Sequence, residues 1–389
     1  MNKELFEQAI ARYGTPLYLF DLDEAARTVI SLRKQTDGTA AVCYAMKANP
    51  FLTGTMAALA DRIEVCSAGE YKICRFLGIS PDRLLISGVL KERAELEEIL
   101  EECRGACIYT VESPDQYRIL SEWSGRREET LRVFLRLSGG NQFGMDMQTV
   151  KKLIEEGKKE KFLQIEGLHF FSGTQKRSSA VIREELLRLD RQILELEAEC
   201  GTGLKVLEYG PGSAVPYFEG QEDRRIEDVE LICGTIREME WRGQVVLEMG
   251  RFLAAECGYY LTGVRDLKTN DRTRYCITDG GMHQINYDGQ IRGMYVPHIT
   301  VSPERPDGPE EDWVICGLLC TANDVLVGKA KLKAPRVGDV LIFHRAGAYA
   351  VTEGMALFLS HALPTVAVYS ERNGLKLIRE KQPTWIWNM

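Results

Sequence analysis

A lysine at the end of an apolar run is the first residue whose type and place suggest chemistry. Ala41-Val42-Cys43-Tyr44-Ala45-Met46 has the pattern of a strand covered on both faces, and Asn49-Pro50 ends it just beyond Lys47. Lys47 therefore falls at the carboxyl end of a buried strand, where α/β proteins place reactive groups. An ammonium there is expensive to desolvate, so its pKa should fall, and a neutral amine is the nucleophile that forms a Schiff base with an aldehyde. The plainer alternative, a lysine that reaches solvent from a strand end, fits the heptad equally well.

Other reactive residue types recur at the ends of apolar runs. Glu64 stands in Ile63-Glu64-Val65-Cys66, and Glu248-Met249-Gly250-Arg251 closes a run that begins at Val245. Gly210-Pro211-Gly212-Ser213-Ala214 follows Val206-Leu207-Glu208-Tyr209. Glycines let backbone amides curl around an anion. Pro211 has no amide proton to give, so Gly210, Gly212 and Ser213 carry more of any such site. The stretch 167–175 brings His169, Phe171 and Thr174 to another strand end, and further on come Gly317-Leu318-Leu319-Cys320-Thr321 and Gly347-Ala348-Tyr349. Taken singly, each has an ordinary reading: a turn, a surface ion pair, a satisfied core histidine, a buried structural cysteine.

The elements that must position these residues alternate. After an amphipathic helix at 4–13 and a strand at 17–21, a helix begins near Glu24 and the Lys47 strand follows. Strand patterns at 63–66, 84–87, 107–111, 133–137, 165–171, 206–209 and 245–248 are separated by helical stretches such as 91–104, 148–159 and 179–199. About eight strand–helix units in a row predict an α/β fold, a (β/α)8 barrel over residues 22–256. Beyond 257 the patterns at 259–264, 275–281, 313–316 and 339–343 are strands without long helices between them. Residues 1–21 and 257–389 are therefore expected to form a mainly β domain that carries Cys320 and Tyr349.

Composition narrows the partners. A net charge of -8 argues against nucleic acid or an anionic membrane surface, and no apolar run approaches the length of a transmembrane helix. Eleven cysteines without paired spacings, several of them (Cys43, Cys66, Cys74, Cys233) in apolar contexts, read as small hydrophobes in a reducing cytoplasm. Five histidines in no ligand spacing give no metal site.

Tyr44-Ala45-Met46-Lys47-Ala48-Asn49 resembles the cofactor-lysine motif of the fold-type III pyridoxal 5'-phosphate enzymes, the alanine racemases and the ornithine/diaminopimelate decarboxylases. The resemblance runs in the family's order from Thr15-Pro16-Leu17-Tyr18 to Tyr349. It implies an alanine racemase-like barrel with a β domain and a homodimer with shared active sites. It also implies that Lys47 holds the cofactor and Glu64 lies near the imine, with Gly210, Gly212, Ser213, Thr174, Arg251 and Tyr349 around the phosphate. His169 and Phe171 lie on the ring-face segment, where Phe171 replaces the histidine that stacks on the cofactor; an aromatic can still stack but cannot titrate. Glu248 matches the decarboxylases' residue at the pyridine nitrogen. A carboxylate there keeps the ring protonated, whereas the racemases place an arginine, so decarboxylation is favoured over racemization. By the same resemblance Cys320 reprotonates the α-carbon from the partner subunit.

The substrate is a finer question. In the ornithine and diaminopimelate enzymes an acidic residue follows the catalytic cysteine and binds the distal ammonium, but here Thr321 stands in that place. A buried ammonium without its carboxylate should lose about 3–5 kcal/mol, so a free diamino acid is a poor fit unless Asp324 compensates. Residues 141–146, 280–283, Phe171 and Cys320-Thr321 instead resemble a secondary-metabolism branch that includes the butirosin-biosynthesis decarboxylase of a carrier-protein-bound glutamyl group. Residues 287–295 are expected to line the substrate end, with Arg292 and Tyr295 as binding residues beside Thr321. Diaminopimelate decarboxylation is the alternative. A racemase is a weaker reading because of Glu248, and a catalytically silent regulatory relative is weaker because Lys47, Glu248, Arg251 and Cys320 are all present.

Overall fold

The computed structural model of the protein describes residues 1–288 and 292–389. They form two compact units, one of Thr28–Val215 with Arg224–Leu253, the other of Met1–Arg27, Pro216–Asp223 and Ala254–Met389. Among the described residues no helix is long and apolar enough to cross a membrane.

The chain opens with α1 (Lys3–Tyr13), capped by the Asn2 side chain, which accepts from Leu5 N at 3.0 Å. It continues into β1 (Leu17–Asp21) and α2 (Leu22–Thr36). Eight parallel strands then close a barrel: β2 (Ala40–Ala45), β3 (Arg62–Val65), β4 (Leu84–Ile86), β5 (Ile108–Val111), β6 (Leu131–Leu137), β7 (Leu163–Phe171), β8 (Val206–Gly210) and β9 (Gln244–Met249). The helices between them are α3 (Thr53–Leu59), α4 (Ala68–Phe76), α5 (Arg93–Cys103), α6 (Pro114–Arg127), α7 (Met147–Gly157), α8 (Ser179–Cys200) and α9 (Arg225–Glu238). The predicted (β/α)8 architecture is therefore present, because the strands are largely buried and rich in apolar residues and the helices offer apolar stripes to cover them, while the barrel interior also holds paired charges such as Arg62 and Glu208. Leu85, Ile108 and Phe134 fill part of the barrel interior.

The second unit is built on a sheet ordered β14-β13-β11-β10-β1-β16-β17, with β15 paired to β10 and β12. Its strands are β10 (Gly258–Asn270), β11 (Thr273–Thr278), β12 (Ile299–Ser302), β13 (Glu310–Cys316), β14 (Val325–Lys333), β15 (Val340–Phe343), β16 (Thr365–Ser370) and β17 (Gly374–Arg379). The patterns read from sequence locate β10, β11, β13 and β15; β12, β14, β16 and β17 were not foreseen. β14 alternates buried and exposed positions along Ala330-Lys331-Leu332-Lys333, the period-2 signature of a half-buried strand, so its signal was present in the sequence. Phe6, Leu17, Leu19, Tyr259, Leu261 and Ile342 form the core that joins α1 to this sheet.

Candidate active site

The carboxyl ends of the barrel strands gather a connected set of ionisable side chains. β2 stops at Ala45, and Lys47 lies on the single 3-10 turn Met46–Ala48 that follows, with the Asn49 side chain accepting from Phe51 N at 3.0 Å. Lys47 Nζ is 2.5 Å from Glu64 Oε2 and 3.5 Å from Glu248 Oε1. Glu248 Oε2 lies 2.9 Å from His169 Nε2. An ammonium penalised by an apolar setting is thus not what the fold provides: two carboxylates flank Lys47, and its side chain is 37% exposed. Burial pushes the Glu248 carboxyl up, but the Lys47 ammonium and the His169 hydrogen bond outweigh it and hold the group well below the usual carboxylate range. Glu248 is an anion fixed in place.

Side-chain alternation explains the grouping. Arg62, Glu64 and Cys66 share one face because strand residues two apart point the same way. Arg62 pairs across the barrel interior with the wholly buried Glu208, and Glu64 and Cys66 follow it toward Lys47. Cys66 is therefore not the small buried hydrophobe its sequence context suggests. It is only partly buried; its Sγ lies 3.6 Å from Lys47 Nζ and donates to Glu64 Oε1 at 3.0 Å. His169 and Phe171 likewise share a face of β7, while Phe170 turns away to stack on Tyr209 at 6.4 Å.

A second group forms where the loops after β7 and β8 meet. Phe171 lies against Gly210, where a Cβ would come within 2.6 Å of its ring. Gly212 adopts φ +66° and passes so close to Gly173 that a Cβ would sit 1.9 Å from its carbonyl oxygen. Gly212 O accepts from Lys176 N at 2.8 Å, and Arg251 Nε donates to Thr174 Oγ1 at 3.2 Å. Glu185 on α8 ties the loops from behind, accepting from Lys176 Nζ at 2.6 Å, from Tyr209 Oη at 2.8 Å and from the Ser172 hydroxyl. Ser213 Oγ is buried and finds no hydrogen-bond partner among the described residues. An unsatisfied buried hydroxyl in a cradle only glycine can line, with the Arg251 guanidinium held on Thr174 of the facing loop, fits a phosphate. With Lys47 for an aldehyde and Glu248 for a ring nitrogen, the residues present fit pyridoxal 5'-phosphate.

Three further residues belong to this network and were not singled out by sequence reasoning. Arg136 and Glu112 form a buried pair at 2.9 Å, and Arg136 neighbours His169 in register across β6 and β7. The signal was available: Arg136 interrupts the apolar run Val133-Phe134-Leu135, and a charge in a buried strand needs a partner. Lys91 is buried, with Nζ bonded to Gly88 O, Thr110 Oγ1 and Gln116 Oε1 at 2.9, 3.2 and 3.0 Å; burial lowers its pKa to about 8. A lysine in a polar loop carries no such signal.

The sheet unit holds the remaining candidates. Cys320 is the only exposed cysteine of the eleven, on the turn between β13 and β14, with Thr321 partly buried beside it. Asp324 does not compensate for Thr321. Its carboxylate is buried, one oxygen accepting from Met282 N at 2.7 Å and the other from Leu319 N at 2.8 Å, so it fixes the Cys320 turn from inside. Tyr349 holds a left-handed backbone, φ +63°, a strained state for a side chain of that size. Arg292, also left-handed at φ +49°, lines a cavity of about 150 Å3 with Tyr287, Asn323 and Glu353. Tyr295 is half exposed and packs on Phe218 at 5.1 Å. The middle of the stretch 287–295, residues 289–291, lies outside the described residues.

Comparison with known proteins accords with this geometry. The family described as pyridoxal-dependent decarboxylase, pyridoxal binding domain, matches residues 22–255. The L-glutamyl-(BtrI acyl-carrier protein) decarboxylase of Niallia circulans is 28% identical over 403 residues, covering 95% of this chain and 92% of that protein. The diaminopimelate decarboxylase of Aquifex aeolicus is 25% identical over 389 residues, covering 95% and 90%. Among solved structures, Helicobacter pylori diaminopimelate decarboxylase complexed with L-lysine superposes with a TM-score of 0.86 over 98% of both chains at 22% identity, a likeness of fold. The chain belongs to the pyridoxal-dependent decarboxylases. It is a carboxy-lyase whose cofactor is pyridoxal 5'-phosphate, and its reaction class is amino acid decarboxylation.

Proposed function

We propose that the protein decarboxylates, at the α-carbon, an aminoacyl group whose far end is tethered to an acyl carrier protein. The observation that carries this reading is the Cys320 turn: Thr321 follows the cysteine, and both oxygens of Asp324 are taken by backbone amides. A free diamino acid would bring a distal ammonium to a segment with no carboxylate to receive it. The likeness to the Niallia circulans enzyme supports the same reading. Diaminopimelate decarboxylation with a rebuilt distal site is the second reading, supported by the Aquifex aeolicus relative and by Arg292 at the cavity of the sheet unit, which could meet a carboxylate.

When bound, the cofactor supplies an electron sink for the bond between the α-carbon and the leaving carboxylate. Lys47 is the amine that anchors it. Thr174, Gly210, Gly212, Ser213 and Arg251 hold the phosphate, with Tyr349 assigned to the same group by the family pattern. Phe171 packs against Gly210 of the cradle and would cover the cofactor ring. Glu248, ionised and held by His169, would keep a proton on the ring nitrogen. Glu64 fixes Lys47 Nζ and takes or returns its proton. Cys320 Sγ gives the α-carbon its replacement proton. Following the family pattern, two copies of the chain share their sites, each lending Cys320 to the other. Eleven unpaired thiols suit a reducing cytoplasm.

Carbon dioxide release by cofactor-loaded protein decides between the readings. The panel is free meso-diaminopimelate, lysine, ornithine, arginine and glutamate, set beside a glutamyl-loaded acyl carrier protein. Release from the loaded carrier alone is expected; turnover of meso-diaminopimelate at comparable kcat/KM would replace the first reading with the second.

A further inference from the structure

Cys66 is a thiol inside the barrel site to which no role has been assigned. Its Sγ closes a triangle with the reacting amine and its carboxylate. Glu64 Oε2 takes the Lys47 ammonium at 2.5 Å, Glu64 Oε1 takes the Cys66 thiol at 3.0 Å, and Sγ stands 3.6 Å from Nζ. The backbone fixes the thiol there, because Cys66 N donates to Glu70 Oε2 at 2.7 Å and Ser67 caps α4 immediately after. Burial and the Glu64 carboxylate raise the Cys66 pKa well above its ordinary value, so it is a protonated donor at neutral pH.

Lys47 faces a difficulty that such a donor addresses. An amine attacks a carbonyl only after losing its proton, yet Glu64 and Glu248 both favour the ammonium. A hydrogen bond to one oxygen of a carboxylate draws charge from the other and makes it a weaker partner for a cation. We propose that Cys66 is a further functional residue of the site, its thiol donating to Glu64 so that Lys47 gives up its proton near neutral pH. The other charged groups around the triangle are Glu248 on β9 and Glu70 on α4, with Lys91 and, behind Glu248, His169 and Arg136. Among the described residues, none of these groups donates a hydrogen bond to Glu64 Oε1, whereas the thiol does. The inference rests on Lys47 as the cofactor amine.

The test follows cofactor capture rather than turnover. Full-length protein stripped with hydroxylamine is mixed with pyridoxal 5'-phosphate across a pH series. Capture is read by absorbance, and borohydride followed by peptide mapping locates the attachment. Cys66→Ala should move the midpoint of capture upward by about half to one pH unit, a roughly three- to tenfold slower capture at pH 7. Cys66→Ser, which keeps a donor, should restore it. An unmoved midpoint in Cys66→Ala, with Lys47 labelled, would overturn the role of the thiol alone. Equal shifts in the alanine and serine variants would assign the effect to packing and overturn it too. Labelling of a lysine other than Lys47 would overturn this inference together with the site reading beneath it.

Discussion

Replacing Glu248 by glutamine tests the centre of the proposed chemistry. Glutamine has nearly the same shape, so the cradle around Thr174, Gly212, Ser213 and Arg251 should stay intact and cofactor content should be unchanged. What is lost is the charge. The carboxylate is only 6% exposed and is held ionised against its burial by Lys47 at 3.5 Å and His169 at 2.9 Å. A charge-assisted hydrogen bond is worth about 1.5–3 kcal/mol and a neutral one about 1 kcal/mol. The difference of about 0.5–2 kcal/mol, needed while the bond breaks, predicts a kcat lower by more than about twofold and up to roughly 30-fold. The assay is carbon dioxide release at saturating substrate, with cofactor content measured on the same sample. A kcat within about twofold of the parent at equal cofactor content would refute the reasoning. Unfolding by urea supplies a second reading. Because the folded pKa is depressed, Glu248 contributes stability that is full above the unfolded carboxylate value of about 4.3 and fades as pH falls toward the lower folded value. Glu248→Gln should therefore be less stable than the parent at pH 7, and the gap should narrow in acid.

Glu185→Ala removes the partner of Lys176 where the two side chains are 10% and 12% exposed, so urea unfolding should show a loss of about 3–5 kcal/mol and the cofactor should bind more weakly; the double change Lys176→Met, Glu185→Gln, which keeps an acceptor for the Tyr209 and Ser172 hydroxyls, should recover part of the stability. Lys91 titrates near 8 in the fold against about 10.4 in the unfolded chain, so the unfolded state binds more protons between those values and stability should rise with pH there. Relative to Lys91→Met, the parent should gain about 2–3 kcal/mol from pH 8 to 10.5 in urea titrations; a flat difference would contradict this. Cys320→Ala should keep its cofactor but fail to yield the normal amine. Mixing it with Lys47→Ala should recover activity if sites are shared between subunits, and no recovery in confirmed hybrids would count against sharing.

The barrel was legible in the sequence because its strands and helices differ in period, and each buries apolar faces that have to repeat along the chain. The same logic singled out Lys47 at the end of an apolar run, whereas Glu64 and Glu248 stood out only by their likeness to the family's motifs. The strands of the sheet unit were only half read: β14 carried the alternation of a half-buried strand, while β16 and β17 follow a turn-rich stretch. Only the tertiary structure decided which charges meet. Arg136 joins Glu112 across 24 residues, and Cys66 reaches Lys47 across 19. Asp324 turned inward although its spacing from Cys320 allowed either direction. Local sequence sets the face a side chain takes, whereas its partner comes from barrel closure, which brings residues distant in sequence within 3 Å of one another.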